Sequence, residues 1–125
     1  MKKLVAVLNG ESQIEFERSR PLSERQQEYL AAMDKKMDER MVQETGNVSV
    51  PDLQQKAQFV ANQLIAAIKS GNEQLAAATL SWLATRLPEL QQVSADDKNG
   101  QIIIRFIYDK PYIKAQPLTF VKRNG

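Results

Sequence analysis

Strand-type sequence lies only at the two ends of this chain, and helix-type sequence fills the stretch between them. That segregation excludes a continuous βαβα alternation and points to an α+β domain. At the N-terminal end, residues 3–8 (Lys-Leu-Val-Ala-Val-Leu) are rich in β-formers. Asn9-Gly10 follows, and both residue types tolerate the positive φ of a tight hairpin turn. Residues 12–17 then alternate, with Ile14 and Phe16 on one face and Gln13, Glu15 and Glu17 on the other. Residues 3–17 therefore read as a β-hairpin with one solvated side.

The middle of the chain reads as three helices. Ser23-x-x-Gln26 is a capping-box pattern and starts a helix over about 23–44. Its apolar stripe (Leu30, Met33, Met37, Met41) is one residue wide, and ten of its residues are charged. So thin a stripe suits a helix-to-helix seam better than a broad buried face, which nominates these four residues as an interaction seam, within the domain or between two copies. Asp52-x-x-Gln55 caps a second helix, whose stripe runs through Leu53, Ala57, Val60, Leu64, Ala67 and Ile68. Ser70-Gly71-Asn72 ends it and opens a third, with Ala76, Leu80, Leu83, Leu87 and Leu90 inward and Trp82 on the flank. The two form a helical hairpin over 52–92, with a kink or end near Leu87 imposed by Pro88.

Strand character returns after Asp96-Asp97-Lys98-Asn99-Gly100, which reads as a turn. Residues 101–108 (Gln-Ile-Ile-Ile-Arg-Phe-Ile-Tyr) are apolar on both faces, as expected of an interior strand or of one covered by a partner. Residues 118–122 can return as a last strand, which makes 101–123 a C-terminal strand region. The expected architecture of residues 1–125 is one α+β domain: an antiparallel sheet from N- and C-terminal hairpins, with about three helices packed on one face.

Composition narrows the chemistry. The 125 residues contain no cysteine and no histidine. Disulfides, thiolate metal sites and Ser-His or Cys-His nucleophile arrangements are thereby excluded within the chain. The absence of cysteine also fits a reducing compartment, so a cytoplasmic location is expected. The apolar run after Met1-Lys2-Lys3 ends within five residues, at Leu8, too short for a signal peptide, and no stretch is long enough to span a membrane.

Each remaining motif has a plain reading beside its functional one. Asp97-x-Asn99-Gly100-x-Ile102 copies the middle of a calcium-binding loop. It carries Ala95 and Phe106 where the end ligands belong, so a simple turn is expected and no metal. Gln63–Trp82 can be laid on a helix-turn-helix template, but Glu73-Gln74-Leu75-Ala76-Ala77-Ala78 offers no cation to guanine or phosphate. The acidic pairs Glu15/Glu17, Asp34/Asp38 and Asp96/Asp97 would need a cleft to act as an acid–base couple.

Charge is uneven. Residues 101–125 carry Arg105, Lys110, Lys114, Lys122 and Arg123 against Asp109 alone, among Phe106, Tyr108, Tyr112 and Phe120. That mixture nominates the five basic residues as an anion or nucleic-acid patch. No catalytic constellation and no cofactor motif appears. The first expectation is a small non-enzymatic binding or regulatory protein of adaptor type, acting through protein contacts and able to form a homodimer. The second is a nucleic-acid-binding protein that uses the basic C-terminal strands.

Overall fold

The structure, a computed structural model, describes residues 3–45 and 52–113, with side chains over 3–40 and 52–113. Among these residues the order is β1 (Lys3–Leu8), β2 (Glu11–Glu17), α1 (Glu24–Thr45), α2 (Leu53–Ser70), α3 (Glu73–Arg86), β3 (Gln92–Lys98) and β4 (Gln101–Ile107). The strands form one sheet in the order β2-β1-β3-β4. The α+β class and the N-terminal hairpin are as the sequence implies. The sheet, however, is mixed rather than purely antiparallel. β1 and β3 run parallel, Val5 to Leu8 lying in register with Gln92 to Ala95. Parallel neighbours require a crossover connection, and here the three helices supply it.

Both hairpin turns are set by Asn-Gly. Asn9 and Gly10 have φ of 53° and 84°, and Asn99 and Gly100 have φ of 54° and 82°. Positive φ at both central residues is the type I′ geometry that matches strand twist. The second turn is therefore two residues long, and Asp96, Asp97 and Lys98 belong to β3. Asn9 also fastens the first turn to β3. Its N–H donates to the Ala95 carbonyl at 2.8 Å, and its Oδ1 accepts from the Asp97 N–H at 2.8 Å.

The helix boundaries follow their capping chemistry. Ser23 and Gln26 exchange side-chain-to-backbone hydrogen bonds at the start of α1, and Asp52 and Gln55 do so at α2. Gly71, at φ 77°, closes α2 in the left-handed conformation. The third helix ends at Arg86, where a stop near Leu87 is expected from Pro88, and does not run on to Gln92. Leu87 takes φ −124° and ψ 77° because the residue before a proline is driven out of the α region, and Pro88 follows it. The released chain becomes β3, a central strand that sequence reading assigns to helix and turn.

The core lies between the sheet and the helical layer. Leu4, Ala6, Val93 and Ala95 face it from the central strands, and Leu64, Ile65, Leu80 and Leu83 face it from α2 and α3. Small residues on β1 and β3 let the helices approach closely. Helix α1 packs against both members of the hairpin. The single tryptophan, Trp82, is fully buried, and its indole N–H donates to Asp34 Oδ1 of α1 at 2.9 Å. Arg86 Nη2 donates to Asp34 Oδ2 at 2.6 Å and its guanidinium stacks 5.9 Å from the Trp82 ring centroid. Lys56 of α2 adds a charge contact to Asp38 at 2.8 Å. Leu30 and Met37 are buried in this one chain and Met33 packs beside them, so the expected seam is occupied by the chain's own helices. The side chain of Met41 lies outside the described residues.

Asp34 is thus the polar latch of α1. Asp34→Ala leaves the Trp82 N–H and the Arg86 guanidinium without their acceptor, and is expected to lower unfolding free energy by about 1–3 kcal/mol. Urea unfolding followed by Trp82 fluorescence measures this. A loss below about 0.5 kcal/mol, as for an ordinary surface change, would contradict it.

Candidate functional site

The two edges of the sheet are finished differently. β2 carries Glu11, Glu15 and Glu17, and its pairing with β1 shifts register between Ala6 and Val7. Charges and bulges are the usual devices that stop an edge from pairing further. β4 has neither device in that strength. It pairs regularly with β3 from Gln101 to Ile107, and Arg105 is its only charged residue. The strand that reads as interior is in fact the other edge, and it exposes Ile102 and Ile103 at 40% and 56%.

β4's two faces have different surroundings. Ile104 and Phe106 pack toward the helices. Ile103, Arg105 and Ile107 fall on the opposite face by strand alternation. On that face the chain beyond β4 returns across the sheet. Gln92 Nε2 donates to the Lys110 carbonyl at 3.2 Å, and the Tyr112 hydroxyl donates to the Gly10 carbonyl at 3.4 Å. Val5 and Val7, on the face away from the helices, are only 5% and 3% exposed.

The basic C-terminal residues are not gathered into one described surface. Arg105 Nη2 donates to Asp96 Oδ2 at 3.0 Å, a neighbour on β3. Lys110 is exposed in the returning segment, and Lys114, Lys122 and Arg123 lie outside the described residues. Phe106 faces the helices while Arg105 faces away, so the two do not share a platform for stacked bases. Helix α3, the would-be recognition helix, buries Ala76, Thr79, Leu80, Trp82, Leu83 and Ala84 in the domain.

The acidic pairs are spent on ion pairs and hydrogen bonds. Glu15 meets Lys3 at 3.1 Å, and Glu17 accepts from the Ser19 hydroxyl at 2.8 Å. Asp34 and Asp38 face Arg86 and Lys56, and Asp96 and Asp97 face Arg105 and Lys69. No group of three or more carboxylates among the described residues is arranged to hold a metal ion. None of their helices is long and apolar enough to cross a membrane.

A concave feature lies at the far side of the sheet from β4. A cleft of about 680 Å³ opens between the β2–α1 loop and the end of α3. Arg18, Arg20 and Arg86 line it with Phe16, Leu22, Leu30 and Pro88, and no carboxylate does. Arg18 caps the end of α3, donating from Nη2 to the Leu87 carbonyl at 3.0 Å and from Nε to the Ala84 carbonyl at 3.4 Å. Burial pulls its guanidinium pKa below the ordinary value. Sequence reading does not find this cleft, because Arg86 is remote from Arg18 and Arg20 along the chain.

Compared with protein-family models, curated proteins and solved structures, the chain matches none of them.

The packing divides β4 into a structural and a free side. At concentrations low enough to keep the chain monomeric, Ile103→Lys is expected to change stability by less than about 0.5 kcal/mol, since the side chain contributes little to the fold of one chain. Phe106→Ala is expected to cost about 2 kcal/mol, because it opens the core side of the same strand. Chemical denaturation of both variants checks the contrast, and equal effects would contradict it.

Proposed function

We propose that this is a non-enzymatic binding protein of regulatory or adaptor type, and that β4 is its contact strand, occupied by a second copy of the chain. The observation that carries the reading is the exposed, regular, nearly uncharged edge at Gln101–Ile107, with Ile102 and Ile103 turned to solvent. An edge strand presents unpaired N–H and C=O groups, and one this apolar is a template for another strand. Its pattern of hydrogen-bonded neighbours is incomplete within one chain: β3 pairs with one edge, and no described strand pairs with the other.

Self-pairing satisfies that pattern with a closed assembly. A two-fold axis through Ile103 sets the two most exposed isoleucines of β4 against themselves or each other's neighbours: Ile103 faces its own copy and Ile102 faces Ile104 of the second chain. Arg105 then lies opposite Gln101, so no like charges oppose one another across the new pair. The resulting sheet has β2 at both ends, where Glu11, Glu15 and Glu17 discourage further growth. An isologous contact of this kind closes at two subunits.

Sedimentation equilibrium of the full chain is the test. The expected result is a reversible dimer that Ile103→Lys weakens by at least about tenfold, roughly 1.4 kcal/mol, while the circular dichroism spectrum is unchanged. A parent chain that stays monomeric at high concentration, or a dimer indifferent to Ile103→Lys, would overturn the reading.

A further inference from the structure

We propose that the arginine-lined cleft between the β2–α1 loop and the end of α3 binds a small organic anion that carries an apolar body, of the class of a medium-chain carboxylate. Three guanidinium groups line the cleft and no carboxylate does. Of the three, only Arg86 has an acidic partner among the described residues, Asp34. Arg18 is held in place by the two α3 carbonyls, yet its Nη1 is buried and donates to nothing within the protein. Arg20 is exposed at the rim, and no described carboxylate pairs with it. A buried guanidinium N–H without an acceptor is costly even on a half-exposed side chain, and an anion in the cleft offsets that cost by charge and, once the side chains adjust, by hydrogen bonding.

The rest of the lining decides the kind of anion. Phe16, Leu22, Leu30 and Pro88 give the cleft an apolar floor beside the guanidinium groups. Inorganic phosphate would satisfy the arginines and leave that floor wet. A carboxylate with an alkyl chain satisfies both, its head toward Arg18 and Arg20 and its chain along Leu22 and Leu30. Apolar walls with a few convergent polar groups are the usual composition of a small-molecule site. The cleft borders β2, whereas the self-pairing edge is β4 at the other end of the sheet. The two proposals therefore stand or fall separately.

The experiment is an NMR titration of the full ¹⁵N-labelled chain with octanoate, with inorganic phosphate and 1-octanol in parallel. Octanoate is expected to give saturable shifts at the Arg18 Nε–H and at the Leu22 and Thr85 amides. Phosphate and octanol, each carrying half of the chemistry, are expected to bind at least about tenfold more weakly. Arg20→Gln removes the rim cation without touching the α3 cap, and is expected to weaken octanoate by about tenfold with the remaining spectrum in place. No saturable shift with octanoate, equal binding of octanol, or unchanged affinity in Arg20→Gln would each overturn the proposal.

Discussion

The parallel pairing of β1 with β3 is the constraint on which the rest of this structure depends. Two hairpins from opposite ends of the chain meet along Val5–Leu8 and Gln92–Ala95. Each hairpin alone is marginal in water, and four joined strands with a covered face are not. The join also dictates where the helices go. A parallel neighbour must be reached by a crossover, so residues between the hairpins are carried over one face, and that face becomes the core. Ala6 and Ala95 keep the centre of the sheet low, and Leu64, Ile65, Leu80 and Leu83 fill the space above it. Asn9 braces the join from one end through Ala95 and Asp97.

That same join creates the two free edges, and their chemistry divides the labour. β2 is acidic and irregular, and the chain after it supplies Arg18 and Arg20 to a cleft beside α3. β4 is regular and apolar, and the chain after it turns back over the open face through Lys110 and Tyr112. The helices pack their apolar residues onto the sheet. Their most conspicuous polar group, Asp34, is engaged by Trp82 and Arg86. The β4 edge and the arginine cleft are two features of the described residues that the fold leaves uncommitted, and both are proposed as binding sites.

Much of the fold was legible in the sequence because local chemistry specified it. Asn9-Gly10 and Asn99-Gly100 set both hairpin turns, and Ser23/Gln26 and Asp52/Gln55 set two helix starts. Gly71-Asn72 divided α2 from α3. What was not legible was non-local. β3 contains Ser94, Asp96, Asp97 and Lys98, poor strand formers that hold their place by pairing, Ser94 with both β1 and β4 and Asp96–Lys98 with β4. The leucine spacing that extends α3 to Leu90 continues past Pro88, where the backbone has already left the helix. The stripe Leu30, Met33 and Met37 looked too thin to cover a core, yet Asp34 and its partners draw it onto α2 and α3. Residues 101–108 are apolar on both faces, yet they form an edge strand rather than an interior one, because periodicity carries no information on which strands flank them. The arginine cleft depends on residues far apart in sequence and leaves no pattern to read.

The central claim is that β4 meets β4 of a second copy about an axis at Ile103. A chain without cysteine allows this to be tested by a single introduced thiol. Residues directly opposite on antiparallel strands have Cα atoms about 4.5–5.5 Å apart, within the reach of a disulfide. Under mild oxidation of the native protein, the account predicts that Ile103→Cys forms a disulfide-linked dimer rapidly and nearly completely, while Ser12→Cys on the exposed β2 edge does not. Comparable cross-linking of both variants, or none in Ile103→Cys, would contradict it.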